Sequence, residues 1–201
     1  MTSSDDYDAV NDPLIDRETG VFYNRFGITN ADELEAAEAA AVAIRTYELR
    51  QSPLQGKFDL EHLQAIHKHL FQDVYEWAGQ LRKLDISKGS TRFANHLHLA
   101  TAMNKITAQL IDDDHLLGLE PAALADKCAY YMAELNALHP FREGNGRTQR
   151  EFINHLCANC GYTVAWENAQ PDELLKRTII AHMDSDKPLA ELIGQNLKPR
   201  R

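Results

Sequence analysis

Apolar residues recur at intervals of three and four along most of this chain, which is the spacing of one buried helix face. The pattern predicts helices from residue 30 to about 50, from 60 to 78, from 99 to 110, from 121 to the motif described below, and directly after that motif. Two shorter helices are predicted over 171–183 and 188–196. An extended stretch follows the motif helix at 161–166. The pattern therefore predicts an all-α bundle, with one small β-hairpin over 85–93.

Local signals support this division into elements. Asn30 is placed to cap the first long helix, and Glu33 stands where a capping box expects a carboxylate. Residues 85–87 and 91–93 read as two short strands around a turn at 88–90. The inward stripes are expected to contain Leu60, Leu63, His67, Leu70, Phe71, Val74 and Trp77, then Leu99, Met103, Ile106 and Leu110, then Leu124, Cys128, Tyr131, Met132 and Leu135.

The whole chain, 1–201, reads as a single domain. Residues 1–28 are rich in turn signals and predict an irregular arm packed by Val21, Phe22, Tyr23 and Phe26. Residues 198–201 are expected to form a short, exposed basic tail.

Composition narrows the function classes. With 201 residues and 44% hydrophobic content the chain can bury one core, and a net charge of −9 without a basic block argues against direct nucleic-acid binding. We find no signal peptide and no apolar run of membrane-spanning length. Three cysteines, an odd number, are typical of reduced thiols in the cytoplasm. The cluster His62, His67 and His69 does not share a helix face and is not interpreted as a metal site.

The most informative stretch runs from His139 to Arg150. Gly144 and Gly146 flank Asn145 at the predicted start of a helix, where free N–H groups and the helix dipole favour a phosphate. Arg147 and Arg150 lie three residues apart, so they share a face of the first helical turn and are suited to phosphate oxygens.

Two residues that precede this cradle, Glu143 and His139, predict a metal ligand and a general base. Glu143 beside an anion site is explained if it binds Mg²⁺, which takes one or two carboxylates together with substrate phosphates. Pro140 should end the preceding helix at His139 and present the imidazole to the loop, where it can accept a hydroxyl proton. The stretch therefore predicts a site for nucleotide phosphates with a general base.

The motif from His139 to Arg150 resembles the signature His-Pro-Phe-x-(Asp/Glu)-Gly-Asn-Gly-Arg-x-x-Arg of the Fic/Doc superfamily, and every fixed position is matched. The resemblance implies the Fic fold and the transfer of AMP from ATP to a Tyr, Ser or Thr hydroxyl of a target protein. It implies His139 as the catalytic base and Glu143 as the Mg²⁺ ligand. It implies an ATP-binding set of Asn136, Gly144, Asn145, Gly146, Arg147, Thr148, Gln149 and Arg150, in which Arg147 meets the β-phosphate and Arg150 the γ-phosphate.

The hairpin over 85–93 is similar to the "flap" of this family, which pairs with an extended segment of the target protein. The resemblance assigns target docking to Asp85, Ile86, Ser87, Lys88, Gly89 and Phe93.

Many Fic proteins carry an inhibitory helix with the pattern (Ser/Thr)-x-x-x-Glu-(Gly/Asn), whose glutamate pairs with the second arginine of the motif. Here only Thr163, Glu167 and Asn168 satisfy the pattern. We interpret this match as a coincidence, because it lies in the extended stretch directly after the motif helix. The hypothesis is a bacterial toxin restrained by a separate antitoxin that supplies the helix. Resemblance to such toxins implies type IIA topoisomerase subunits, gyrase B or its topoisomerase IV counterpart, as targets.

Two other functions stay open at this point. The motif recognises phosphates rather than bases, so UTP, GTP or a choline nucleotide are possible donors for the same fold. A catalytically silent protein-binding module that uses its flap is the alternative from another class.

Overall fold

The computed structural model of the chain describes residues 12–88 and 91–200. The prediction of an all-α bundle with a small hairpin is confirmed. In the described part the helices are α1 Ala31–Gln51, α2 Leu60–Phe71, α3 Leu99–Asp112, α4 Pro121–Leu138, α5 Asn145–Asn159, α6 Pro171–Met183 and α7 Lys187–Asn196. The strands are β1 Ser87–Lys88, β2 Thr91–Arg92, β3 Tyr162–Val164 and β4 Leu197–Pro199.

Helix α4 lies at the centre of the bundle and packs against α3, α5, α6 and α7. Its predicted inward residues are all buried, and so are those predicted for α3. Helix α5 contributes Phe152, Ile153, Leu156 and Cys157, each fully buried, to the same core. The loop that joins α4 to α5 is therefore held between two of the best-packed helices of the protein.

Helix α1 begins as predicted. The Asn30 side chain accepts a hydrogen bond from the Glu33 backbone N–H at 3.0 Å, which satisfies one free donor of the first turn. Four buried positions, Leu34, Glu38, Val42 and Leu49, face the bundle.

Helix α2 is shorter than predicted, because it ends at Phe71 rather than near residue 78. The apolar residues beyond it are still buried, but they lie in turns. The Val74 carbonyl accepts a hydrogen bond from the Arg25 N–H of the N-terminal arm, and the Gly79 N–H donates to the His67 imidazole. The other backbone hydrogen bonds of this segment are short-range turns, such as Val74 N–H to the Phe71 carbonyl.

The predicted hairpin is present, with β1 antiparallel to β2 and Ser87 opposite Arg92. Lys88 belongs to β1 and pairs with Thr91, so it is not a turn residue as predicted.

Residues 198–200 of the predicted basic tail are exposed, as expected, but they are held in place by backbone pairing, and residue 201 lies outside the described residues. Residues Leu197–Pro199 form β4 and pair antiparallel with β3, in the stretch predicted to be extended. The Arg200 N–H then donates to the Gly161 carbonyl at 2.8 Å. A second two-stranded sheet therefore closes the C-terminal end of α5.

The described part of the predicted arm, residues 12–28, is irregular as expected, whereas residues 1–11 lie outside the described residues. Val21 and Phe22 are buried, but Tyr23 and Phe26 are exposed, so the prediction that all four pack inward is wrong for the last two. No helix of the described residues is long and apolar enough to cross a membrane.

The arm also reaches the active-site loop. Asp12 and Arg142, both buried, form an ion pair in which Nε of Arg142 donates to Asp12. The guanidinium of Arg142 lies over the Phe22 ring, 4.9 Å from its centroid. The variable residue of the motif therefore anchors the loop to the arm.

Candidate active site

His139 caps the C-terminal end of α4, and its backbone is in the left-handed conformation with φ 45° and ψ 61°. The helix ends where Pro140 required it to end, although the backbone of His139 is left-handed rather than extended. The ring is almost fully buried and stacks on Phe93 of the hairpin, with centroids 3.8 Å apart.

The hydrogen bond of the ring fixes its tautomer. Nδ1 of His139 lies 3.3 Å from the backbone carbonyl of Asn136. Because a carbonyl oxygen only accepts, Nδ1 carries the proton and Nε2 carries the lone pair. Burial lowers the pKa of His139 to about 3, with Arg82 and Lys88 adding repulsion. The imidazole is therefore neutral near pH 7, in the form that accepts a proton.

His67 is a second buried histidine with a lowered pKa. Because of these two residues, we expect the stability of the protein to depend on pH. Burial also lowers the pKa of His67 to about 3, against about 6.5 in an unfolded chain. Between these values the unfolded state binds more protons, so stability is fully present above pH 6.5 and is lost as pH falls toward 3. Each histidine is expected to contribute a loss of roughly 1 kcal/mol per pH unit within that window.

Urea unfolding at pH 7, 6 and 5 measures this slope. The variant His139→Phe, which keeps an aromatic ring against Phe93, is expected to show a distinctly smaller slope over the same range. A free energy of unfolding that stays constant from pH 7 to 5 in the wild-type chain would contradict the assignment.

Gly144 forms the bend between the loop and α5. Its φ is +80°, and a β-carbon at this position would lie 2.3 Å from the Phe71 ring. Glycine is therefore required here both by the backbone conformation and by the close ring. At Gly146 a β-carbon would meet only Nη1 of Arg150, at 3.6 Å. This second glycine leaves the backbone of the first helical turn open to a ligand.

Three of the residues assigned to ATP binding have side chains that hold the cradle from inside. Asn145 both accepts from the Phe141 N–H and donates to the Phe141 carbonyl. The hydroxyl of Thr148 donates to the Gly144 carbonyl at 3.0 Å, and Gln149 donates to the Leu135 carbonyl at 3.2 Å. All three side chains are buried. Their predicted contacts with nucleotide stay predictions, as does that of the Asn136 side chain.

Glu143 stands at the mouth of the cradle. Its Oε1 accepts a hydrogen bond from the Gly144 N–H at 2.8 Å and lies 3.4 Å from Nη2 of Arg147. The described residues contain no group of three or more His, Cys, Asp or Glu side chains that could hold a metal ion. A single carboxylate fits Mg²⁺ only if substrate phosphates complete its ligands, which is the usual arrangement for this ion.

The two arginines of the cradle have different surroundings. Nη2 of Arg147 lies 2.6 Å from Oε1 of Glu38 on α1, and the guanidinium lies over the Phe71 ring. Among the described residues no ion pair or hydrogen bond reaches the guanidinium of Arg150. Burial and repulsion from Arg147 lower the pKa of Arg150 to about 10. Arg150 is half-buried, and its contact with the γ-phosphate stays a prediction.

The hairpin forms one wall of the site. Ile86 and Phe93 are buried. The Phe93 N–H donates a hydrogen bond to the Ile86 carbonyl, at 3.4 Å. Asp85 accepts hydrogen bonds from the backbone and the ring of His96, so it fastens the base of the hairpin. Ser87 and Lys88 are half-buried in β1, and Gly89 lies outside the described residues. The docking role of these six residues stays a prediction.

Arg82 is a functional residue that sequence reasoning missed. Although it is almost fully buried, its guanidinium donates hydrogen bonds to four backbone carbonyls, those of Leu84, Ala94, Leu138 and His139. Its own N–H donates to the Pro140 carbonyl at 3.0 Å. Arg82 thus joins the base of the hairpin to the loop that carries the imidazole. Its neighbours in sequence give no signal of this role.

His67 is a second residue near the motif that the sequence analysis did not assign to the site. Its Nδ1 accepts from the Gly79 N–H at 2.8 Å, so Nε2 carries the proton and donates to the Glu143 carbonyl at 3.0 Å. The ring stacks on Phe141, with centroids 3.9 Å apart. A polar residue on an otherwise apolar stripe of α2 was the available signal. His67 positions the backbone that carries the predicted Mg²⁺ ligand.

Glu167, from the formal inhibitory pattern, lies in a short 3₁₀ turn at 166–168. Its carboxylate is mostly exposed and lies 3.7 Å from Nη1 of Arg50. Arg50 in turn pairs more closely with the buried Glu151, at 2.9 Å. The residue therefore pairs with an arginine of α1 rather than with Arg150.

The helical bundle thus brings together a glycine bend at the start of α5, a buried neutral imidazole and a hairpin wall. The chain belongs to the Fic/DOC family, whose profile matches residues 57–157.

Several relatives extend this similarity. The protein adenylyltransferase VbhT of Bartonella schoenbuchensis is 44% identical over 191 residues, which are 95% of this chain and 40% of VbhT. The probable protein adenylyltransferase y4lH of Sinorhizobium fredii is 38% identical over 92% of this chain and 95% of its own length. The probable protein adenylyltransferase Fic of Escherichia coli is 34% identical over 84% of each chain. The chain thus spans less than half of VbhT but most of the shorter relatives.

Solved structures show the same fold. The N-terminal Fic domain of a Bep effector protein from Bartonella quintana, with bound ADP, superposes with a TM-score of 0.86 at 26% identity. The match covers 94% of this chain and 95% of that domain. BepC from Bartonella tribocorum, with bound AMPPNP, also gives 0.86, at 24% identity over 94% and 97% of the two chains.

Proposed function

We propose that this chain is a protein adenylyltransferase, which transfers AMP from ATP to a Tyr, Ser or Thr hydroxyl of a target protein. The observation that carries the proposal is the buried, neutral His139, whose Nε2 holds the lone pair beside a phosphate cradle. The names of VbhT, a protein adenylyltransferase, and of y4lH, a probable protein adenylyltransferase, support the reaction. The bound ADP of the Bartonella quintana domain, which shares this fold, supports nucleotide binding.

In this reaction the target hydroxyl gives its proton to Nε2 of His139 while its oxygen bonds to the α-phosphorus. The bond between that phosphorus and the oxygen leading to the β-phosphate breaks, and pyrophosphate leaves. Backbone N–H groups at the start of α5, with Arg147 and Arg150, orient the phosphates and stabilise the developing charge. Glu143 would hold Mg²⁺, which supplies further charge neutralisation at the phosphates when it is bound.

The target segment is proposed to dock on the hairpin. In the described residues β1 pairs with β2 alone, so a strand added at the free edge would lie beside Phe93 and the imidazole. Such pairing uses main-chain hydrogen bonds and holds the hydroxyl near the base.

The experiment that tests the proposal incubates the purified chain, Mg²⁺ and bacterial lysate with ATP labelled on either the α- or the γ-phosphate. Label from α-³²P-ATP on a discrete protein, without label from γ-³²P-ATP, is the expected result. A parallel panel of labelled UTP, GTP and CDP-choline tests other donors, and incorporation from one of these alone would replace ATP. If a folded chain incorporates label from none of these nucleotides, the remaining function is that of a catalytically silent protein-binding module.

The toxin role is proposed on two grounds. The resemblance to Fic toxins suggests that the acceptor is a type IIA topoisomerase subunit, so purified gyrase B and the topoisomerase IV subunit are the first acceptors to add. In addition, the guanidinium of Arg150 has no carboxylate partner in the described part of the chain, which suits inhibition by a helix supplied by an antitoxin. Growth arrest on expression, relieved by a co-expressed inhibitory-helix protein, would support this role.

Glu167→Ala is expected to leave the rate of AMP transfer within about twofold of wild type. The reason is that an exposed carboxylate 3.7 Å from Arg50 contributes little and does not contact Arg150. The initial rate of α-³²P incorporation measures the effect, and Glu173→Ala, which removes another exposed carboxylate, serves as the matched control. A rise of tenfold or more in Glu167→Ala alone would mean that the chain inhibits itself and needs no antitoxin.

A further inference from the structure

Glu38 occupies a position where the pattern of α1 calls for an apolar side chain. It lies between Leu34 and Val42 at spacings of four, on the stripe that faces the bundle, and its exposed fraction is 8%. A buried carboxylate is unfavourable unless charged or hydrogen-bonding partners compensate for the lost water. The burial of Glu38 therefore has to be compensated by its hydrogen-bonding and charged partners.

Both carboxylate oxygens of Glu38 are engaged. Oε1 lies 2.6 Å from Nη2 of Arg147, and Oε2 accepts a hydrogen bond from the hydroxyl of Tyr75. Tyr75 is itself buried and stacks on Trp77, with centroids 4.3 Å apart. Burial, together with the neighbouring Glu38 carboxylate, raises the pKa of Tyr75, so the phenol remains a donor at all ordinary pH values. Glu38 is thus fixed by the core on one side and by the phosphate cradle on the other.

Arg147 is held from several directions. The Phe71 ring lies beneath its guanidinium, 4.7 Å from the central carbon to the ring centroid. Glu38 and Glu143 approach the same nitrogen, Nη2, at 2.6 and 3.4 Å. Within the described residues, Nε and Nη1 make no hydrogen bond, and these atoms carry three of the five N–H donors of the group. The arrangement fixes the plane of the guanidinium and leaves its other donors for a ligand.

From this geometry we infer that Glu38 is a positioning residue, which holds Arg147 so that Nε and Nη1 meet a phosphate group of the nucleotide. Tyr75 fixes Glu38 in turn. The inference rests on the proposed function, since it needs a nucleotide in the cradle, and it adds a residue from α1 to a site otherwise built from the motif. A preorganised arginine loses little side-chain entropy on binding, so the effect should be seen in nucleotide affinity.

The test compares nucleotide binding and AMP transfer in Glu38→Leu, Glu38→Gln and Tyr75→Phe. Leucine completes the apolar stripe of α1 and removes the carboxylate, while glutamine keeps the shape without the charge. We expect Glu38→Leu to weaken ADP binding, measured by calorimetry, about tenfold and to raise KM for ATP by a similar factor with a smaller change in kcat. Tyr75→Phe should weaken ADP binding by about threefold. Glu33→Gln, an exposed carboxylate on the same helix, is the matched control and should bind ADP as wild type does.

A double-mutant cycle separates positioning from a purely structural role. In the Arg147→Ala background, Glu38→Leu is expected to have no further effect on ADP affinity, because the residue that it positions is absent. An additive loss would mean that Glu38 only supports the fold, and tighter ADP binding by Glu38→Leu would mean that Glu38 competes with phosphate; either result overturns the inference. If Glu38→Leu fails to fold, Glu38→Gln and Tyr75→Phe carry the same cycle.

The two proposals fail in distinguishable ways. If wild type neither binds ADP nor transfers AMP, the proposed function is wrong. If wild type does both and the Glu38 variants bind ADP normally, only the positioning role is wrong.

Discussion

His139→Ala is expected to lower the rate of AMP transfer by about 10²–10⁴-fold, the usual contribution of a general base. The ring is held in one tautomer by the Asn136 carbonyl and in one orientation by Phe93. The other neutral imidazole beside the cradle, that of His67, has both ring nitrogens in hydrogen bonds to the backbone of Gly79 and Glu143. The measurement is the initial rate of α-³²P incorporation into the acceptor found in the labelling experiment.

Two controls accompany this variant. His98→Ala removes an exposed histidine from the turn at 96–98 and should leave the rate unchanged. ADP binding to His139→Ala should stay within about threefold of wild type, since the phosphates are held by α5 and the arginines. If His139→Ala retained more than a tenth of the wild-type rate, another group would have to be the base.

Arg82→Met is expected to cost about 4 kcal/mol or more of stability. The methionine fills similar space but leaves four backbone carbonyls without their charged donor, and hydrogen bonds to charged groups contribute roughly 1.5–3 kcal/mol each before non-additivity. The free energy of unfolding in urea at pH 7 measures the loss. Because Arg82 joins the hairpin to the His139 carbonyl at 2.8 Å, variants that remain folded should also transfer AMP more slowly.

Lys83→Met provides the matched control, since Lys83 is the exposed neighbour of Arg82 and the same side chain is introduced. It should change the free energy of unfolding by less than about 0.5 kcal/mol. Arg82→Lys should lie between the two, because a single ammonium cannot span the carbonyls that the guanidinium reaches. Equal stability of Arg82→Met and Lys83→Met would show that the four hydrogen bonds contribute nothing net.

Sequence reasoning located the helices and the motif because both are local signals. The stripe of α4 and the Asn30 cap of α1 depend on residues within a few positions of one another, and the structure confirms them. The early end of α2 could not be predicted, because the turns after Phe71 bond to Arg25 of the distant arm and, through Gly79, to the side chain of His67 twelve residues earlier. Strand β4 was missed for a related reason: a three-residue strand has no period, and its partner lies far away in sequence.

The same distinction applies to the site. The motif contains the proposed base, the glycines and the arginines, but the residues that hold them come from α1, α2 and the segment before the hairpin. The sequence contains a signal for His67 and for Glu38, since each is a polar residue on a buried helical stripe. It contains no comparable signal for Arg82. Their roles depend on contacts with the α4–α5 loop and the start of α5, and only the folded chain shows those contacts.

The pairing of Arg147 with Glu38 has a further consequence for how a nucleotide arrives. Two arginines and two carboxylates, Glu38 and Glu143, share the cradle, so its local charges balance, and the chain as a whole carries −9. Long-range attraction accelerates association only where a site has a strong opposite field. Encounter with a polyanion at this cradle is therefore limited by ordinary diffusion and orientation, and its rate should respond only weakly to ionic strength. If the proposed function holds, selectivity for phosphate would have to come from contacts made after arrival, at the helix start and at Arg150.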